Sequence, residues 1–533
     1  MRVIVVGSGI SGSHGALTLL ERGYSVELWD VGQRESPIPE PGVTFHELKQ
    51  RLPRPIDHFL GPTLNALIPP TSAELIHYPP SRHFLTLPDD PLWDYQCDGF
   101  GPIVSYARGG LANGWGANAL AFDEDDLSGW PIGYSDMVSS YKSVFDRVPV
   151  AGPQTDELSG FLTGVNPSQA PVGLTTADEK MLEAYKEKLG KLTSIGIRMG
   201  QARLAVVTDP ARVEACDYCD RCLWGCPRGS IYNPSESTLK ACEAFKTFTY
   251  EPGRFVLSLL SKDRRVTGIR YLDSDTQAIK EESCDAVFLA AGALQSGAIF
   301  LRSLKAARVD APFESEGLMD TTVVKLPFLA LRCIGKPAPQ RAFQFNRLIM
   351  GLITKAGHWP RYLHGEVLHL GGLLYHPLIE RLPFDSRFSS KLFFALKSAL
   401  GVVTLFYPDR LHPGNRQVLL AEGERWEGVK LSYRETADKE SYISQTIPTV
   451  RSALRQLGCV PRSELRSAPG AGIHYAGTIP MGDGPRRCDS RGRAHSFSNL
   501  YIADGAAFPT LPSKSISITL AAHATRVAQL ARL

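Results

Sequence analysis

The chain has 533 residues, 43% of them hydrophobic and 21% charged, with 58 basic against 55 acidic side chains and a formal net charge of +3. That length exceeds what one hydrophobic core fills, so two domains are expected, and the balanced charge, with no long basic run, excludes polyanion binding as a function class. No repeat or low-complexity tract points to a solenoid or a disordered chain.

At the N-terminus the β-branched run Val3 to Val6 predicts a strand buried on both faces. It leads at once into Gly7-Ser8-Gly9-Ile10-Ser11-Gly12 and a helical stretch from Gly15 to Arg22. In such a strand–turn–helix Gly7 permits the tight turn and Gly9 lets the backbone approach a pyrophosphate. Ile10 and Ser11 open the helix whose N-terminus receives the phosphate, and Gly12 lets helix pack on strand. Gly23-Tyr24 ends the helix, and Ser25 to Trp29 predicts a second strand with Asp30 at its tip, where a carboxylate takes the ribose hydroxyls of an adenosine. These features predict dinucleotide binding without choosing between FAD and NAD. The charged segment, apolar stretch and cleavage site of an export signal are missing here, so a cytoplasmic protein is expected, with export beside a signal-carrying partner subunit left open. The proline-rich stretch from Gln33 to Leu92 suggests a lid or a partner-contact surface.

Further along, Gly109-Gly110-Leu111-Ala112-Asn113-Gly114-Trp115-Gly116-Ala117 reads as a tight glycine-rich loop, followed by Trp130-Pro131-Ile132, Tyr134 and Met137. Of ten cysteines, four crowd into Cys216-x2-Cys219-x2-Cys222-x3-Cys226-Pro227. That is the spacing by which ferredoxin-type loops gather thiolates around an iron–sulfur cluster, and it suits a compact cube better than zinc, which usually takes two separated pairs. Zinc binding or an empty structural motif are the alternatives. Arg254 to Leu260, Arg265 to Tyr271 and Asp285 to Ala290 predict three strands, the last closed by Ala291-Gly292-Ala293. Thr322 to Arg332, Glu366 to Tyr375, Gly401 to Tyr407 and Arg416 to Leu420 are β-rich runs separated by turn signals such as His412-Pro413-Gly414-Asn415. The longest apolar stretch, Leu392 to Tyr407, is interrupted by Lys397 and falls short of the about 20 residues that cross a bilayer. It reads as a core helix followed by a strand. Gly472 to Gly482 is a glycine-rich segment around His474, Asn499 to Gly505 predicts a strand, and Ile516 to Ala531 the last helix.

Four of these segments, spread over the whole chain, resemble the glucose-methanol-choline (GMC) family of FAD-dependent oxidoreductases, and the cysteine loop resembles its iron–sulfur-containing bacterial sugar dehydrogenases. The resemblance implies an α/β fold with a Rossmann-like FAD-binding domain and an α+β substrate domain on an antiparallel sheet. The FAD-binding pieces are expected at 1–50, 95–135, 230–310 and 470–533. The substrate domain is expected at 136–229 and 311–469, with the cysteine loop at 216–227, and 51–94 is left as a lid or partner-contact segment. By the same resemblance, Gly109, Gly110, Asn113, Gly114, Trp115, Gly116 and Ala117 contact the flavin, and Val256 meets the adenine. Ala291 and Gly292 lie near the diphosphate, and Asp504 and Gly505 sit beside the cofactor. Some sugar oxidases of the family attach flavin through a histidine of this loop; the matching position is Gly114, so noncovalent FAD is expected.

The family's active-site histidine matches His474, whose ordinary pKa near 6.5 suits a base that takes the hydroxyl proton as hydride leaves for flavin N5. The second catalytic residue of the family is His or Asn, and counting along Phe508-Pro509-Thr510 places Ser515 there, a departure that leaves the pair incomplete. Lys514 is a further candidate for stabilising an alkoxide. Taken together, these residues predict a dehydrogenase for an alcohol of a sugar, polyol or glycoside, with electrons leaving through a [4Fe-4S] or [3Fe-4S] cluster on Cys216, Cys219, Cys222 and Cys226 to a protein or quinone acceptor. The alternatives are a redox-neutral epimerase or lyase, and an alcohol oxidase using O2 with a structural cluster.

Overall fold

The computed structural model describes residues 1–533 apart from 34–39, 65, 67–77, 87–89, 310, 311, 340, 355, 356, 358, 371–375 and 422–424. Five parallel strands form one sheet in the order Leu500–Ile502, Ala286–Leu289, Arg2–Val6, Ser25–Trp29, Phe248–Glu251. Successive side chains of a strand point to opposite faces, and the first strand shows why its sequence is apolar throughout. Val3 and Val5 pack with Ala16, Leu20 and Val527 on one side, and Ile4 and Val6 join Val287 and Leu289 on the other. Burying a side chain of this size contributes about 1.5–3 kcal/mol. Helices Ile10–Glu21 and Ser517–Leu530 pack against each other beside this sheet.

A second, antiparallel sheet runs Cys459–Pro461, Thr322–Ala330, Leu400–Tyr407, Tyr362–His369, Leu348–Ile353, Ile197–Gln201, with Leu465–Arg466 added to the Thr322–Ala330 strand. Alternation sorts its faces. Val324, Leu326, Phe328, Val403 and Leu405 pack with Met181, Tyr185, Ile443, Val450 and Leu454 of the helices Thr176–Glu187 and Ala437–Gln456. The intervening Val323, Lys325, Thr404 and Phe406 face a cavity. The fold is therefore α/β with a Rossmann-like parallel sheet beside an antiparallel one, as expected.

Three of the four β-rich runs form strands close to their expected bounds. The strand expected from Glu366 to Tyr375 instead starts at Tyr362 and ends at His369, and 371–375 lie outside the described residues. Its first half escaped notice because Tyr362 and His364 interrupt the apolar pattern while being buried inside the protein. The Leu392–Tyr407 stretch divides into the end of helix Ser386–Leu396 and strand Leu400–Tyr407, but this is not a core helix, since Phe388 and Phe394 are 50% and 51% exposed. Strands Arg254–Lys262 and Arg265–Asp273 form a hairpin extended by Ile279–Ser283, a polar edge strand the sequence pattern did not mark. In the expected lid region, Phe45 and Phe59 of helices Phe45–Arg51 and Pro55–Leu60 pack on Trp224; part of that segment lies outside the described residues.

Candidate active site

A cavity of about 550 Å³ opens between the parallel sheet's glycine turn and the inner face of the antiparallel sheet. Its nucleotide end is lined by Gly7, Gly9, Ile10, Ser11 and Asp30. Gly7 has φ 101°, and a Cβ there would stand 2.5 Å from the Ala290 carbonyl oxygen. Gly12 lies behind the wall, where a Cβ would stand 1.8 Å from the Gly7 carbonyl oxygen, so strand and helix meet only because both are glycine. Around Gly9 nothing lies within 4 Å of a Cβ, which leaves the backbone open to the cavity. The Tyr250 hydroxyl donates to Asp30 Oδ1 at 2.8 Å, and burial pushes this carboxyl up to about 6 against that bond and one from Ser8.

The glycine-rich loop enters the same cavity through Gly109, Gly110, Gly114, Trp115 and Gly116, and Val256, Ala291, Gly292, Asp504 and Gly505 join it. Asn113 and Ala117 do not line it. The Asn113 side-chain amide donates to the carbonyls of Arg108 and Gly110 and its oxygen accepts from Asn233, so it braces the loop from behind. Asp504 Oδ2 accepts from the Gly292 N–H at 2.8 Å and from Ser296, tying the closing strand to the turn after Ala291.

His474 and Ser515 line the other end of the cavity. The imidazole stacks on Phe406 with ring centres 5.9 Å apart, and its buried Nδ1 has no hydrogen-bond partner among the described residues. Burial pushes its pKa down to about 4, so the ring is neutral at pH 7 and able to accept a proton. The preceding Ile473 sits at φ 62°, an outlier for a β-branched residue and a mark of imposed backbone at this loop.

A family model described as GMC oxidoreductase, its C-terminal domain, matches residues 439–524, the segment that carries His474, Asp504 and Ser515. The chain is 24% identical over 544 residues to paromamine 6'-oxidase of Streptomyces fradiae, covering 99% of this chain and 90% of that one. It is also 24% identical over 432 residues to 6'''-hydroxyparomomycin C oxidase of Streptomyces lividus, 75% of this chain and 71% of the relative. Residues 439–524 carry the C-terminal domain of the GMC oxidoreductases. The fold of the chain is similar to pyridoxine 4-oxidase from Mesorbium loti, at TM-score 0.60 and 17% identity over 99% of this chain and 98% of that one. It is likewise similar to an FAD-dependent oxidoreductase from Chaetomium thermophilum, at TM-score 0.62 and 14% identity over 99% and 98% of the two chains. GMC oxidoreductases bind FAD, and the residues here fit it: a glycine turn open at Gly9, a carboxylate at the tip of the second strand, and a cavity continuous from there to His474.

Two expectations find no support in the geometry. Lys514 does not line the cavity. Its ammonium is buried, 2.8 Å from Asp123 Oδ2 and 2.5 Å from Asp126 Oδ2, because the chain turns inward there and a buried cation needs carboxylates. Nor are Cys216, Cys219, Cys222 and Cys226 placed as metal ligands: among the described residues no group of three or more His, Cys, Asp or Glu side chains is placed to hold a metal ion. The loop also packs against residues 40–59. Arg221 Nη1 donates to the carbonyls of Glu40 and Val43, Asp217 Oδ2 accepts from Gly42 N and Arg228 Nε, and Trp224 stacks on His58 at 5.3 Å. Burial pushes the Cys216 and Cys219 thiols up to about 11 and about 12.

Sequence reasoning missed several side chains of the wall: Tyr78 and Leu223 beside the glycine loop, and Asn118, Lys325, Glu366 and Thr404 opposite His474. A charged residue alternating with apolar ones on a strand is also what a solvent-facing sheet shows, so pattern alone did not mark Lys325 or Glu366.

Proposed function

We propose that this chain oxidises a primary or secondary alcohol carbon of a sugar, polyol or glycoside, with His474 as the base. The observation that carries the reading is a neutral imidazole with an unpaired Nδ1 on the wall of a cavity that runs to the glycine turn. When bound, FAD supplies the two-electron acceptor for the hydride. The residues proposed to hold it are Gly7, Gly9, Ile10, Ser11, Asp30, the cavity-lining residues of the 109–117 loop, Val256, Ala291, Gly292, Asp504 and Gly505. Tyr78 stands where a side chain at position 114 would go, a Cβ there meeting its hydroxyl at 2.6 Å, which supports noncovalent attachment. His474 takes the hydroxyl proton of the substrate, and Ser515, on the same wall, orients its oxygen. The sugar class rests on the names of the Streptomyces relatives.

Those relatives are named oxidases, which favours O2 as the electron acceptor. Electron exit through a cluster on Cys216, Cys219, Cys222 and Cys226 is a second reading, supported by the spacing alone, and no electron path is drawn through it. Anaerobic addition of a panel of sugars and polyols to the flavin-loaded protein tests the main reading. Bleaching in the wild type and none in His474→Ala is the expected result, and turnover without any acceptor would point to the redox-neutral alternative. Peroxide formed per alcohol oxidised, with iron and acid-labile sulfide per chain, separates oxidase from cluster-linked dehydrogenase.

A further inference from the structure

The inner face of the antiparallel sheet carries one polar row. Lys325, Thr404 and Glu366 are register partners on three adjacent strands, and all three line the cavity that holds His474. The flanking positions Val323, Phe406 and Leu368 are apolar, while His364, two residues before Glu366 on its strand, brings its Nε2 to 3.9 Å from Glu366 Oε1. Lys325 and Glu366 are partly buried, and opposite charges held two strands apart contribute little to stability, so their presence on a cavity wall asks for a ligand. Burial pushes Lys325 down and Glu366 up, both to about 8, and each charge partly offsets the shift of the other. The carboxylate is also aimed: Asn118 Nδ2 donates to Glu366 Oε1 at 2.8 Å, and Asn118 is itself clamped by reciprocal amide bonds with buried Asn346.

Adjacent strands lie about 4.8 Å apart, so Lys325 and Glu366 flank Thr404 across about 10 Å, the scale of a six-membered ring with its substituents. With both groups poised near 8, Lys325 stays largely protonated and Glu366 largely neutral at pH 7, so the row repels a cationic ligand while offering hydrogen-bond donors and acceptors. Hydroxyl groups satisfy both ends, since each donates and accepts. Resting on the proposed function above, we infer that the Lys325–Thr404–Glu366 row is the subsite that grips non-reacting ring hydroxyls of a neutral sugar or cyclitol while His474 faces the carbon that is oxidised.

The test uses flavin-loaded wild type, Glu366→Gln and Lys325→Met, the first nearly isosteric. Probes are aldohexoses and inositols with their singly deoxygenated and amino-substituted counterparts. Two readouts are taken: KM and kcat from flavin reduction, and sugar binding by equilibrium dialysis to the same variants in a His474→Ala background, where turnover does not intervene. A lost hydrogen bond that leaves a buried partner unsatisfied costs about fivefold to a hundredfold in affinity, so each variant is expected to raise KM and the dialysis Kd by at least fivefold, with a smaller effect on kcat. Each variant should also lose discrimination against one deoxy sugar. Unchanged KM and Kd in both soluble variants would overturn the inference. So would wild-type preference for an amino sugar that vanishes only in Glu366→Gln, which marks an ammonium site, or no binding of any probe. Binding that depends on the row in a wild type that no sugar reduces would uphold the subsite and sink the proposed chemistry instead.

Discussion

Lys514 and Asp126 form an ion pair in which neither side chain is more than 1% exposed, with the ammonium 2.5 Å from the carboxylate oxygen. Asp123 completes the arrangement at 2.8 Å, and the two acids come from the segment just after the glycine-rich loop. Removing the cation leaves two carboxylates buried without their counter-charge. Lys514→Met is therefore expected to cost about 3–5 kcal/mol in chemical denaturation. A stability loss of that size, with flavin bleaching retained in whatever protein stays folded, confirms a structural lysine; full stability with lost bleaching would return Lys514 to the reacting atoms.

His474 gives a prediction with a defined pH sign. Its pKa is lowered to about 4 by burial, so the base is competent above that value and protonated below it. The rate of flavin reduction should rise as pH increases through about 4 and lie flat from there to neutrality as far as this group is concerned. General bases contribute about 10²–10⁴ in rate, so His474→Ala and His474→Asn should slow reduction by at least a hundredfold while keeping FAD. A limb centred near 6.5 would show that the imidazole is more solvated than its surroundings suggest.

These outcomes bear on how much the sequence disclosed. The parallel sheet was legible because a strand buried on both faces is apolar at every position, and Gly7, Gly9 and Gly12 follow it at a spacing few other structures need. The family motifs carried His474 and Ser515 to one cavity although 41 positions separate them, a juxtaposition no local pattern contains. Lys514 was misplaced because a motif locates a backbone, and which way a side chain points depends on partners such as Asp123 and Asp126 far away in sequence. The cysteine spacing is a local signal, and in the same loop Asp217, Arg221 and Trp224 also dock the chain around Val43 and Phe59.

Behind the substrate wall, Asp178 predicts an acid limit to stability. It is fully buried, caps its helix through Thr175, and lies 2.5 Å from Arg347 and 2.9 Å from His369. Burial alone would raise its pKa, but His369 and Arg347 hold it well below the usual carboxylate range. A depressed folded-state value means the stabilisation is fully present above the unfolded pKa near 3.9 and drains away as pH falls below it. Asp178→Asn should cost about 3–5 kcal/mol at pH 7, and the variant should lose part of the wild type's dependence on pH in denaturant titrations between about pH 5 and 2.

Gly9 and Gly12 are three residues apart and should fail for different reasons. At Gly12 an added methyl carbon would stand 1.8 Å from the Gly7 carbonyl oxygen, a backbone atom that cannot swing away, so helix and strand must separate. Gly12→Ala should thus lower the yield of folded protein and the thermal midpoint even when excess FAD is supplied. Gly9 has φ −61° and ψ −175°, which alanine adopts without strain, and nothing stands within 4 Å of its Cβ position. Gly9→Ala should fold with a stability within about 1 kcal/mol of the wild type, or slightly above it, because alanine lowers the entropy of the unfolded chain. On the proposed cofactor assignment, its methyl group occupies the side from which a pyrophosphate reaches the turn. The protein should emerge colourless and bind added FAD at least tenfold more weakly, measured by flavin fluorescence quenching. If Gly9→Ala retains flavin as tightly as the wild type, the phosphates do not pass over this turn and the nucleotide end of the cavity has been assigned the wrong way round.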